Sequence, residues 1–291
     1  MLSQTLKKKN PTGIVLWQGK SLIDNERIML VATGVMGGGS SENRKTGDMI
    51  QTFILRRDVH PMTARRMGDD FSQCGDCKLR ESSCCYVNLC HGPIGVFKAF
   101  HDNSYKDYQD GDLDLFRDRY VRMGSYGDPA ALPYEIWDEI NSNCLGTCGY
   151  THQWKNCDQR LKSICMASVD SIEGYNKEYH KAKDMNWRTF RVFADDKGKD
   201  IYDEKGETEF ICPASKEAGV KTNCESCGAC GGFSSKTNKD VLINFHGDSE
   251  DMGSMWRRDR YIKMMKKIKN KKAWRRDYAS ERKIYRKVCK F

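Results

Sequence analysis

Hydrophobic residues in this chain fall in short runs divided by polar turns, and those runs carry the first reading of the fold. Ile14-Val15-Leu16-Trp17 and Ile28-Met29-Leu30-Val31-Ala32 predict two strands joined by a polar turn. Residues 49–55 predict a third. Between the second and third lies Gly37-Gly38-Gly39-Ser40-Ser41, which reads as a plain loop. It has neither the Gly-Lys-Ser/Thr ending of a phosphate loop nor a G-x-G-x-x-G pattern. Residues 57–68, with Pro61 inside, predict a turn and a short helix.

Beyond residue 92 the pattern becomes an alternation. Helices are predicted at 93–108, where Ile94, Phe97 and Phe100 stand near helical spacing, at 130–141, and at 171–184 behind a Ser/Asp cap. A shorter helical connection is predicted at 157–162. Strands are predicted at 118–124, 148–152, 164–167, 187–193, 209–212 and 241–245. Such an order points to an α/β fold: a parallel sheet, or a partial (β/α) barrel, with crossover helices. Asp128, His152, Asp170, Cys212 and His246 fall at or just after predicted strand ends, the edge where parallel α/β folds build their sites.

Charge changes this picture at one end. Residues 256–291 hold sixteen Lys/Arg against three Asp/Glu, a net +13, while the rest of the chain carries −4. The division is therefore a body, 1–255, and a basic helical tail, 256–291. Trp256, Tyr261, Trp274, Tyr278 and Tyr285 interleave with the tail's cations, a composition suited to nucleic acid or to an acidic host protein. The bland reading is a solvated helix with its aromatics docked on the body. No run of about 18 apolar residues exists, so no membrane span is expected. The basic start lacks an apolar segment behind it, so a cytoplasmic protein is expected.

Cysteine supplies the chemistry. Five of the fourteen cysteines lie within residues 69–93, led by Cys74-x2-Cys77 and followed by Cys84 and Cys85. Two thiolates at that spacing on a tight loop reach one ion or cluster. Adjacent cysteines point apart, and Cys85, which continues into an apolar run, is taken as the third ligand. A second group comprises Cys212-Pro213 and Cys224-x2-Cys227-x2-Cys230, the last repeating the ferredoxin step in which three thiolates wrap one cubane. With no secretory signal expected, metal ligation outweighs a disulfide framework. One or two [4Fe–4S] clusters are expected, with zinc the alternative. Cys90, Cys144, Cys148, Cys157 and Cys165 read as core thiols, and Cys289 as a free thiol in the tail.

Outside the cysteines, Gly124, Ser125, Gly127 and Asp128 form the best small-molecule candidate. Glycines permit close approach, and Asp128 can accept hydrogen bonds from an amine or a ribose. The competing reading is a strand-to-helix turn. His152 and His246 are candidate ligands or proton shuttles, with a satisfied strand-end histidine as the simpler reading. Asp170 and Arg191 complete the catalytic candidates. Arg188 and Arg191 fit a buried strand face poorly, which suggests that one meets an anionic ligand.

Several strings carry a resemblance. Gly-Asp-Met-Ile-Gln-Thr-Phe-Ile-Leu-Arg-Arg-Asp at 47–58, Cys-Gly-Asp-Cys at 74–77, Cys-Tyr-Val at 85–87 and Arg-Met-Gly-Ser-Tyr-Gly-Asp-Pro-Ala-Ala-Leu-Pro at 122–133 resemble the bacteriophage gene product 88 family. Tyr-Thr-His-Gln-Trp at 150–154, Cys-Met-Ala-Ser-Val-Asp at 165–170, Trp-Arg-Thr-Phe-Arg-Val at 187–192 and Cys-Pro-Ala-Ser at 212–215 continue it. The resemblance implies a phage protein working in the host cytoplasm and brings no activity with it. A more distant similarity is to radical S-adenosylmethionine enzymes. It implies a partial barrel, a cluster on Cys74, Cys77 and Cys85, and S-adenosylmethionine near Gly124–Asp128, although the cysteine spacing here differs from that family's usual one.

Overall fold

The computed structural model describes residues 13–35, 45–81, 85–171, 177–193, 209–215, 218–244 and 263. The Gly-rich stretch 37–41, Cys84, His246, Cys289 and the tail apart from Lys263 lie outside the described residues. Lys263 is helical and exposed.

Ten strands form one sheet: β1 (Gly13–Lys20), β2 (Arg27–Thr33), β3 (Ile50–Arg56), β4 (Lys106–Asp107), β5 (Tyr120–Tyr126), β6 (Gly146–Thr151), β7 (Met166–Ser171), β8 (Thr189–Phe193), β9 (Glu209–Ile211) and β10 (Asp240–Asn244). Their order is β4-β1-β2-β3-β5-β6-β7-β8-β10-β9. From β3 through β8 to β10 and β9 every pairing is parallel, as expected. β1, β2 and β3 are antiparallel to one another. The link from β1 to β2 is too short for a parallel crossover, so the chain must turn straight back. The sheet is thus mixed and mostly parallel. Among the described residues its two end strands do not pair with each other, and no helix is long and apolar enough to cross a membrane.

Proline and asparagine explain where the helices depart from expectation. The helix predicted at 130–141 is divided: a single 3-10 turn at Pro129–Ala131, then α5 (Tyr134–Ser142). Pro133 clashes with a helical residue before it, and Leu132 is accordingly extended at φ −113°, ψ 157°. The helix predicted at 93–108 ends as α4 (Pro93–His101), because Asn103 takes φ +52° and turns the chain into β4. At the predicted start of the third helix, β7 instead runs to Ser171, paired with Phe193, and α6 is described from Lys177 to Asp184.

Each face of the sheet has its own core. On one side α5 and α6 pack Trp137, Ile140, Tyr179 and Ala182 against Ile54, Val121, Ala167 and Val169. The indoles of Trp137 and Trp187 are fully buried and satisfied, donating to Pro129 O at 2.8 Å and to Gln159 Oε1 at 3.0 Å. The other side is divided between two clusters. One joins Met29, Val31, Phe53 and Tyr126 to Val96 of α4 and to Cys74. The second joins Cys148, Met166, Phe190 and Val241 to Cys212, Cys224, Cys227 and Cys230. Cysteines from both sequence groups therefore lie on the face opposite α5 and α6.

A bulge shapes the middle of this sheet. Gln51 pairs with Arg122, but Phe53 pairs with Tyr126, so residues 123–125 arch out opposite Thr52. The Thr52 hydroxyl fills the gap, donating to Arg122 O (2.8 Å) and accepting from Gly124 N (2.9 Å). Gly124 and Gly127 sit at φ +64° and +93°, which L side chains rarely adopt. A Cβ on Gly127 would also stand 2.6 Å from Ile54 Cβ. Gly127→Ala should cost about 2 kcal/mol or more in urea unfolding, through backbone strain and overpacking together. A stability equal to that of the parent chain would show that the arch is not rigid.

Candidate metal centre

The first cysteine group grows out of the connection between β3 and β5. After α1 (Pro61–Met67) come two single-turn helices, α2 (Phe71–Cys74) and α3 (Lys78–Glu81), with Gly75 between them at φ +53°. Cys74 ends α2 and Cys77 precedes α3, and Cys77 N donates to Cys74 O at 3.3 Å. A buried ion pair closes the loop from outside: Arg80 Nη1 lies 2.9 Å from Asp70 Oδ1, and Arg80 Nε donates to Gly75 O at 3.1 Å. Burial lifts the Asp70 carboxyl above its ordinary value, and the Arg80 guanidinium works against that. Cys85 joins from the far side and is hydrogen-bonded to Arg65. Burial also raises the Cys74 and Cys85 thiols, and Cys77 raises both further, so the three sulfurs sense one another electrostatically.

The ends of β5 and β6 clamp that loop. Asp128 N donates to Gln73 O (2.6 Å), and Gln153 Nε2 donates to Cys74 O (3.5 Å). Asp128 itself is buried. Its Oδ1 accepts from Ala130 N at 3.0 Å and its Oδ2 from His152 N at 2.7 Å. Burial pushes this carboxyl up, while His152 and the hydrogen bonds pull it down. Residue 152 is thereby fixed over the loop, with His152 Nε2 3.7 Å from Cys77 Sγ.

The second group is assembled from four separate segments. Asn223 caps the single turn α7 (Cys224–Cys227) by accepting from Ser226 N, which sets Cys224 and Cys227 three residues apart on one side. Cys224 N donates to Lys45 O (2.8 Å), anchoring the turn on the segment before β3. Cys212 follows β9, and its N–H donates to Leu242 O of β10 (2.7 Å). Cys230 O accepts from Gly149 N of β6 at 3.1 Å. That last contact brings in a thiol the sequence reading had assigned to the core. Cys148, on β6, packs in one cluster with Cys212, Cys224, Cys227 and Cys230. The signal was present: Cys148 and Tyr150 alternate with Gly149, so both point to one face. What the sequence could not show was which loop covers that face.

Interaction with Cys224 and Cys230 holds Cys148 well below the usual thiol range despite burial, helped by Arg122 and Tyr150. Arg122 Nη1 lies 3.5 Å from Cys148 Sγ, and its guanidinium lies 5.2 Å from the centre of the Tyr150 ring. The Cys224 and Cys230 thiols are pushed up, by their interaction with Cys148 and by burial. All the described cysteines are free thiols. Among the described residues, no three His, Cys, Asp or Glu side chains are already drawn around one point as metal ligands.

Other expected site residues are not gathered here. Arg191 is on the opposite face, over the Tyr179 ring of α6, and is paired with Glu209 at 2.5 Å. Arg188 donates to Gly232 O (2.5 Å) and is buried. Both arginines thus bind the protein's own carboxylate or carbonyl groups. Gly124 and Gly127 serve the arch, Ser125 donates to Gln51 Oε1 (2.7 Å), and Asp128 serves the clamp. Asp170 is on β7, with its side chain outside the described residues, as is His246. The cavity beside His152, edged by Asp76, Lys78, Lys155, Ser168 and Glu178, encloses about 100 Å³, less than a cofactor-sized pocket needs.

The strings at 47–58, 74–77, 85–87, 122–133, 150–154, 165–170, 187–192 and 212–215 lie on β3, the cysteine loop, the β5 arch, β6, β7, β8 and the turn after β9. No family model, curated protein or solved structure matches the chain.

Arg80→Met should leave the Asp70 carboxylate buried without its cation, costing about 3 kcal/mol or more. Because the folded-state pKa is raised, the native chain holds more protons than the unfolded one. This group's stability is therefore full below the unfolded value of about 3.9 and falls as pH rises through the folded value. The variant's urea stability should fall more steeply than the parent's between about pH 4 and pH 7. Parallel pH curves would refute the role given to the Arg80–Asp70 ion pair.

Proposed function

We propose that this chain is a thiolate-ligated metalloprotein whose principal centre is the second cysteine group, with Cys148 added to Cys212, Cys224, Cys227 and Cys230. The observation behind this reading is that Cys148 packs in one cluster with Cys212, Cys224, Cys227 and Cys230, on segments far apart in sequence. Thiols gathered from a strand, a strand end and a single turn are the donor set that soft metal centres require. Bound there, the metal would supply a cross-link between β6, β9 and the turn after residue 223, or a redox centre beneath Tyr150 and Arg122. The chain's own residues stabilise negative sulfur and exclude water from it.

An iron–sulfur cluster is the first form of this reading, on the strength of the ferredoxin-like step. It is the form compatible with a radical-type enzyme of a phage, for which the first group would need an open iron to engage S-adenosylmethionine. A single zinc ion, which would take four of the five thiols, is the second. Around one tetrahedral ion, ligand sulfurs stand about 3.8 Å apart, whereas a cubane distributes its ligands over separate irons. Metal analysis and an absorption spectrum of anaerobically purified protein separate the two. Iron, sulfide and a broad visible band mean a cluster, and zinc in a colourless protein means the single ion. Cys148→Ser should lower bound metal by about one centre per chain, while Cys144→Ser should leave it unchanged. Full metal content in Cys148→Ser would remove the reading's main support.

The basic tail extends the proposal to a nucleic acid or an acidic host protein as partner. Removing residues 256–291 should abolish most polyanion binding, and binding by the full chain should weaken steeply with salt. Equal affinity in the truncated chain would assign any such binding to the body.

A further inference from the structure

We propose that His152 is the fourth ligand of the first cysteine group, so that Cys74, Cys77, Cys85 and His152 bind one divalent ion of the zinc class. This deepens the metalloprotein reading and rests on it. The distance from Cys77 Sγ to His152 Nε2 is 3.7 Å. With metal–sulfur and metal–nitrogen bonds of about 2.3 and 2.05 Å, the edge of a tetrahedral site is about 3.6 Å. The pair already stands at ligand-to-ligand spacing.

That spacing is enforced. Asp128 holds His152 N at 2.7 Å, and the same residue's N–H holds Gln73 O at 2.6 Å, one residue before Cys74. Gln153 adds a contact to Cys74 O from the other side. Gly75 permits the approach, since a Cβ there would meet the Gln153 amide at 2.4 Å. Loop and strand end are thus locked as one unit, with the imidazole facing the thiol. Cys74 and Cys85 are near enough to interact electrostatically with Cys77. Completing the site requires these two thiols to swing toward the Cys77–His152 edge, each cysteine releasing its proton to solvent as the ion binds.

The arrangement also bears on the chemistry of the group. Four protein ligands leave no open coordination position, so the site closes the loop on the end of β6 and does not engage a substrate. It would be distinct from the second group, whose described donors are all sulfur.

Cadmium NMR on the full chain, purified under reducing conditions and loaded with cadmium, tests this directly. The parent should show a resonance in the range of three sulfurs and one nitrogen. In His152→Cys that resonance should move downfield into the all-sulfur range at unchanged metal content. In His152→Ala the first site's affinity should fall roughly 100-fold, with the second site unaffected. The same resonance and the same metal content in all three proteins would overturn the assignment of His152 while leaving the metalloprotein reading intact. Absence of bound cadmium and zinc from the parent would overturn the assignment of His152, and absence of iron as well would overturn both.

Discussion

A single buried carboxylate holds the working edge of this molecule together. Asp128 accepts one hydrogen bond from the turn that follows β5 and another from the end of β6, and its own N–H reaches the cysteine loop. Three stretches of chain are thereby fixed at one point, and neither oxygen is left without a donor. Buried charge is tolerated only on such terms. The arch of β5, its two left-handed glycines and the position of His152 all follow from delivering Asp128 to that point.

Much of the body could be read from hydrophobic pattern. Strands such as Ile28–Ala32 and Val241–Ile243 announce themselves because both of their faces are covered, which demands near-continuous apolar character. The helix limits were less legible, for local reasons. Pro133 forces an extended residue into what reads as one amphipathic run, and Asn103 ends another by adopting a conformation that few residues tolerate. The antiparallel start was hidden because periodicity reports which face a residue occupies and is silent on strand direction.

The candidate site was legible as composition and only partly as geometry. Spacing picked out Cys74, Cys77, Cys224, Cys227 and Cys230, since a single turn places such residues together. Cys148, a lone cysteine in a strand, reads as core and is core, but the sequence does not show that it packs beside cysteines about eighty residues away. Arg191 was misjudged for the converse reason. Its charge looked unfit for a buried strand, yet Glu209 reaches it from β9, a neighbour that no local pattern predicts.

The position of β10 has a consequence for how the protein comes into being. This strand is the last described, yet it lies between β8 and β9 and gives β9 its described place in the sheet. On a growing chain, residues 209–215 have no such neighbour to pair with until residues 240–244 have left the ribosome. The backbone bond from Leu242 that fixes Cys212 is equally late. The second cysteine group is consequently assembled only once residues 240–244 have emerged, so any ion that fills it meets strands already paired and not a nascent loop.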